Sequence, residues 1–149
     1  IIMSISKSFI KQVISILLIC FPAYAFAQES SPFKGKIAND EYQVYIEMNF
    51  YDNNIVCPNQ EIFGSNPGYF GAIRDTRKWI IMDAYVNGNK ATLTIINDYG
   101  SDDLKATLTY NSDKSFTLER IDGSPIRIVV NNAWVKLPKK LVFHMAKKQ

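Results

Sequence analysis

The sequence predicts an all-β domain, an antiparallel up-and-down meander curled into a sheet or a small barrel of about eight or nine strands. Three observations predict it. Apolar residues recur at every second position in one short segment after another, and clusters of Asn, Asp and Gly separate those segments. From Trp79 to Val130 the segments begin roughly every 10 to 13 residues, which leaves no room for helical crossovers between parallel strands. A period of two sends alternate side chains to opposite faces, so each segment buries one face only.

Taken in order, residues from Phe33 to Ala38 form a first strand. From Glu41 to Tyr51 the positions Tyr42, Val44, Ile46, Met48 and Phe50 are all apolar, while Gln43, Glu47 and Asn49 share the other face with Tyr45. Residues from Ile55 to Phe63 and from Tyr69 to Arg74 supply further strands around a Gly64-Ser65-Asn66-Pro67-Gly68 loop. The segment from Arg77 to Val86 is apolar on both alternating faces: Ile80, Met82, Ala84 and Val86 on one, and Trp79, Ile81 and Tyr85 beside Asp83 on the other. A strand greasy on two sides is covered on both, by another part of the chain, by a ligand or by a partner.

Leu93 and Ile95 then alternate with Thr92 and Thr94, and Leu104, Ala106, Leu108 and Tyr110 alternate with Lys105, Thr107 and Thr109. Phe116 and Leu118 begin the next strand, and Ile126, Ile128 and Val130 continue after a turn at Asp122-Gly123-Ser124-Pro125. Asn87-Gly88-Asn89, Asp98 to Asp103 and Asn111 to Lys114 carry residues that tolerate the left-handed dihedrals of tight hairpins. Ala133 to Leu137 is a strand ended by Pro138. Leu141 to Ala146 is a closing strand, with Leu141, Phe143 and Met145 on one face, or alternatively a short C-terminal helix.

Lys7 and Lys11, the apolar run from Val13 to Phe21 and Ala25-Phe26-Ala27 follow in the order of a cleavable secretory signal, with Met3 as the expected start. The apolar run is too short for a comfortable membrane span, and Ile19 before Cys20 is not the small residue that usually precedes a lipidated cysteine. Cleavage near Ala27 implies a periplasmic or secreted product: a flexible lead-in over residues 28–32, then a single β domain over residues 33–149 with a basic C-terminal end. The absence of an Asn-x-Ser/Thr sequon suits a bacterial periplasm. Removing Lys7 and Lys11 leaves 15 basic residues against 14 acids, a balance that points to no specific nucleic acid. Arg127, Lys136, Lys139, Lys140, Lys147 and Lys148 cluster without an acid, and this end is suited to weak contact with an anionic envelope surface.

Chemistry-bearing constellations are sparse. Cys57 is the one cysteine after Ala27, so it has no partner for an internal disulfide and is expected to be a buried thiol. His144 is the only histidine, without a nucleophile elbow, and one His with one Cys cannot make a structural zinc site. Asp98, Asp102 and Asp103 lack the spacing of a calcium loop and read as a polar turn. Glu47, Asp83 and Glu119 are the carboxylates from which a glycoside-hydrolase pair would be drawn, each otherwise expected on a wet strand face. No catalytic residue, metal or cofactor is assigned.

The signal, the mature length and the serial aromatic-rich hairpins resemble small secreted calycin-like barrels, the lipocalin and avidin group, and secreted meander proteins of Gram-negative bacteria. Phe33-Lys34-Gly35-Lys36-Ile37 stands where lipocalins carry Gly-x-Trp, and the Trp is absent. The Ser-Gly-x-x-Tyr loop of a well-known family of periplasmic lysozyme inhibitors is absent too. The resulting expectation is a non-enzymatic binding protein that holds a small apolar ligand or a protein partner. Its surface would run around Trp79, Ile81 and Tyr85, extended by Tyr69 and Phe70, or line a barrel mouth. The alternatives are an inhibitor or immunity protein presenting the loop from Gly64 to Gly68, and a carboxylate-based hydrolase.

Overall fold

The computed structural model describes residues 31–148. The expected signal segment from Met3 to Ala27, Cys20 and the first part of the lead-in lie outside the described residues. Twelve strands run through the described residues: β1 (Lys34–Asn39), β2 (Val44–Asn49), β3 (Ile55–Val56), β4 (Ser65–Asn66), β5 (Gly68–Ala72), β6 (Lys78–Asn87), β7 (Lys90–Asn97), β8 (Asp103–Tyr110), β9 (Phe116–Gly123), β10 (Arg127–Val130), β11 (Ala133–Lys136) and β12 (Lys140–Met145). Eight of them close an antiparallel barrel in the order β1-β12-β9-β8-β7-β6-β5-β2, the meander that the alternation predicts. Closure leaves the barrel without a free edge. The C-terminal segment is strand: β12 joins β9 through Leu141 opposite Leu118 and β1 through Ile37 opposite Met145.

Two short hairpins leave the barrel. β3 and β4 pair with each other between β2 and β5, and β10 pairs with β11 between β9 and β12. The strand expected from Ile55 to Phe63 stops at Val56, because Pro58 has no N–H for a ladder and Asn59 takes a left-handed φ of 63°. The segment then closes a turn, with the Gln60 N–H donating to the Cys57 carbonyl, and makes a single 3₁₀ turn at Glu61–Phe63. Likewise β2 starts at Val44 rather than Glu41. Asn39 turns the chain there, its Oδ1 accepting from the Tyr42 N–H while its Nδ2 donates to the Val142 carbonyl. Asn49 and Asn97 do the same at other strand ends, each Oδ1 accepting from two backbone N–H groups of the following turn.

Side chains fill the barrel. Ile37, Ile46, Ile81, Leu93, Ile95, Leu108 and Phe143 are wholly enclosed. One end is plugged by Phe33, stacked on Phe50 and set edge-on to Phe116. The other end is closed by Ile126, Ile128 and Leu137, which the β10–β11 hairpin and its stems bring over the opening. Asp75, in the loop before β6, ties that hairpin down by accepting the Val129 N–H at 2.9 Å.

The two-sided greasiness of β6 has a local cause. Pairing with β7 runs from Ile81 opposite Ile95 directly to Asp83 opposite Thr94, so Met82 is an extra residue in a β-bulge. The bulge reverses the phase of the strand: Trp79 and Ile81 point inward before it, and Ala84 and Val86 pack against the core after it. Outside, Ile80 is covered by the β3–β4 excursion, in a second small cluster with Cys57 and Tyr69. Gly71 makes room for that outer layer, since a Cβ there would lie 2.6 Å from the Tyr45 ring.

Candidate functional site

Core side chains pack the barrel interior, and its hairpin-capped end carries a cleft of about 510 Å³, within the range of small-molecule sites. Four separate segments build it. Arg77 immediately precedes β6 and Trp79 lies near its start; Asn97 ends β7, and Asp98, Tyr99, Ser101 and Asp102 form the β7–β8 turn; Ser124 and Pro125 lead into β10, which Arg127 begins; Trp134 projects from β11.

The turn is held rigidly from within. Asn97 is buried, accepts from the Ser101 and Asp102 N–H groups and donates to Ser101 Oγ at 2.9 Å. Asp98 bridges to β6: its N–H donates to the Lys78 carbonyl, and its Oδ2 accepts the Lys78 N–H at 3.2 Å. Tyr99 stands out into solvent at the rim. Opposite, the Arg77 guanidinium lies 4.2 Å from the centre of the Trp134 ring, a cation–π contact. Asp75 Oδ2 approaches Arg77 Nη1 only to 3.9 Å, too far for a hydrogen bond.

Two polar atoms are therefore left over. Arg77 Nη1 and Asp98 Oδ1 are both buried and have no hydrogen-bond partner among the described residues. Native proteins seldom bury an unpaired donor or acceptor, and each one costs about 1–3 kcal/mol. Both residues line the cleft, while these two atoms, without accessible surface of their own, lie behind its wall. Its charged side chains balance, with Arg77 and Arg127 against Asp98 and Asp102.

The five residues expected to form a binding surface do not come together. Trp79 sits at the floor of the cleft with 5% of its surface exposed. Ile81 and Phe70 are enclosed in the barrel, Phe70 edge-on to Phe143 at 6.4 Å between ring centres. Tyr69, one residue from Phe70 and so on the opposite face, belongs to the outer cluster, where its hydroxyl donates to Glu47 Oε2 at 2.9 Å. Tyr85 lies beyond the bulge on the outer wall and is exposed. The expected aromatic face is thus corrected to one cleft residue, two core residues and two outer residues: Met82 breaks the alternation between Ile81 and Tyr85, and Tyr69 and Phe70, adjacent on β5, take opposite faces. Arg77, Trp134, Arg127 and the β7–β8 turn were not grouped by sequence, since no spacing links four segments that meet only after the barrel closes.

The other chemistry-bearing residues are dispersed. Glu47, Asp83 and Glu119 occupy β2, β6 and β9, which are not neighbours in the barrel, and Glu119 lies 3.8 Å from Lys140. Among the described residues no three His, Cys, Asp or Glu side chains converge as metal ligands. His144 is exposed on β12. Cys57 is a buried free thiol whose pKa desolvation pushes up to about 11. Desolvation also raises Tyr69, followed by its hydrogen bond to Glu47, and it raises Tyr45. No family model matches the chain, and neither curated proteins nor solved structures give a match.

Proposed function

We propose that this chain is a non-enzymatic binding protein of the periplasm or the extracellular medium that holds a small molecule in the cleft at the hairpin-capped end of its barrel. One observation carries the reading: a barrel packed with core side chains bears, at one end, a 510 Å³ recess lined by Trp79 and Trp134 and by the charged residues Arg77, Arg127, Asp98 and Asp102. The aromatic walls supply contact area at little entropic cost, and the charged side chains around them supply polar contacts that orient a ligand. Core side chains occupy the barrel interior, so recognition is assigned to the mouth.

The test is calorimetric titration of the protein with fractionated small-molecule extract, against Trp134→Ala. Saturable binding that is lost in the variant supports the cleft. Equal binding by both proteins removes it.

A second reading, an inhibitor of an enzyme, is favoured by one observation: Ile62, at the tip of the excursion between β3 and β4, is 91% exposed. The loop expected to serve, from Gly64 to Gly68, is largely ladder, with Ser65 and Asn66 in β4 and Gly68 buried in β5. The apolar tip lies just before it. On this reading Ile62→Asp abolishes a stoichiometric complex with an enzyme from envelope extract and leaves titration of the cleft unchanged.

A further inference from the structure

We infer that the outer edge of β11 is a docking site for an extended acidic peptide segment, which joins the β10–β11 hairpin as a third strand. Closure pairs every barrel strand on both sides, whereas among the described residues β11 pairs with β10 alone. The register shows which groups are left over. Val129 stands opposite Trp134, and the Val129 N–H donates to Asp75 rather than across the hairpin. Opposite residues of an antiparallel pair exchange both bonds or neither, so the N–H and C=O of Trp134 also point away from β10. The Leu137 N–H donating to the Ile126 carbonyl fixes the same phase, and Lys136, two residues on from Trp134, faces out as well.

Two N–H and two C=O groups therefore stand at ladder spacing on exposed residues, with no partner among the described residues. Asn131 and Asn132, left-handed with φ of 51° and 61°, make the tight turn that holds the edge in shape. The opposite edge, on β10, is already taken by Asp75. Added strands bind through such backbone groups and are selected by the side chains beside them.

Those side chains ask for an acid. Arg127 stands directly opposite Lys136, both exposed, and like charges so placed repel each other. No acid occurs from Ser124 to Val142. Asp98 and Asp102 are matched by Arg77 and Arg127 in the cleft lining, and Lys140 has Glu119, which leaves Lys136 and Lys139 in excess. A carboxylate opposite Lys136 on the added strand enters the Arg127–Lys136 row and relieves the repulsion. Two positions along, the same face meets Trp134, which suits an apolar side chain. A second copy of β11 would bring its own Lys136 and Arg127 to this edge, and the same charges oppose it.

The probe is the peptide Glu-Thr-Val-Thr-Glu-Thr-Val-Thr, which alternates acid and apolar residues on one face, with a counterpart carrying Lys in place of Glu. Calorimetry reads binding, and amide exchange reads its place. In the free protein the Trp134 and Lys136 amides are expected to exchange fast and the Val135 amide slowly; the acidic peptide is expected to protect both outward amides. Lys136→Pro deletes only an outward N–H, which an edge strand tolerates, and is expected to weaken the acidic peptide at least about tenfold while the Val135 amide stays protected. Lys136→Glu is expected to reverse the preference between the two peptides. No binding of the acidic peptide, equal affinity for both peptides, or binding that Lys136→Pro leaves unchanged overturns the proposal. Protection of the two amides that grows with protein concentration and needs no peptide makes a second copy the occupant, and binding to phosphatidylglycerol vesicles but to neither peptide makes it a lipid surface; either result overturns it too.

Discussion

Trp79 and Tyr85 lie on one strand with a single bulged residue between them, and that residue gives them opposite environments. Trp79 is packed into the end of the core and Tyr85 stands on the outer wall. Trp79→Ala is accordingly expected to cost about 3–5 kcal/mol, the range for removing a buried aromatic ring, whereas Tyr85→Ala stays within about 0.5 kcal/mol of the parent. Urea denaturation of the two variants measures both. Cys57 supplies a second prediction. Its thiol ionises near 9 in an unfolded chain and only near 11 when buried beneath the β3–β4 excursion, so the folded state holds the proton longer. That contribution is fully present below pH 9 and disappears as pH rises toward 11, and Tyr45 and Tyr69, also raised by burial, steepen the loss above pH 10. Stability followed against pH should fall through this window, less steeply in Cys57→Ala. In native protein at pH 8 the thiol should resist a disulfide reagent that modifies it at once in urea.

Among the elements, the β10–β11 hairpin does most to shape the candidate site, because it closes the barrel end with Ile128 and presents Trp134 to the cleft. One carboxylate ties it to the β5–β6 loop. Asp75 takes the Val129 N–H on Oδ2 and the Arg77 N–H on Oδ1. Asp75→Ala leaves a backbone donor of the hairpin without that partner and is expected to cost about 1–3 kcal/mol. Amide exchange should rise first in β10 and β11 while β7 and β8 stay protected. The elements also mark what alternation could and could not convey. In β2, Val44, Ile46 and Met48 are buried as their spacing predicts, and in β8 so are Leu104, Ala106 and Leu108. Alternation fails at Met82 and again at Ile121, where a second bulge interrupts pairing between β8 and β9, because an extra residue carries no signature of its own. Nor does the run from Ile55 to Phe63, apolar at both ends, show in its composition that it folds across the outside of the barrel; Pro58 was the one local sign.

At the scale of the whole molecule, the eight-strand ring depends on β12 more than on any local property of that strand. It holds Leu141 and Phe143 in the core and covers the ladder edges of both β1 and β9. Ending the chain before Lys140 removes two buried anchors and opens two edges at once. Such a variant is expected to lose its cooperative thermal transition by circular dichroism and to run as aggregate on gel filtration. The serial hairpins predicted this meander, but the seam is a long-range fact: Asn39 and Val142 are joined by a hydrogen bond across 103 positions, and no window of sequence spans them. The cleft is hidden for the same reason. Arg77 lies in the segment that the sequence marks as unusual, yet its neighbour Trp134 reaches it only through β11, after the ring is complete.

A seam between β1 and β12 also dictates when this protein can become itself. A ribosome delivers β1 before β12 with every other barrel strand between them, so until β12 is made the nascent chain has a lateral edge waiting for residues not yet made. Contacts this distant in sequence form slowly, and an unsealed sheet invites other chains. The ring therefore cannot close until β12 is available, and up to that moment the strand edges of β1 and β9 stand open to pairing with other chains.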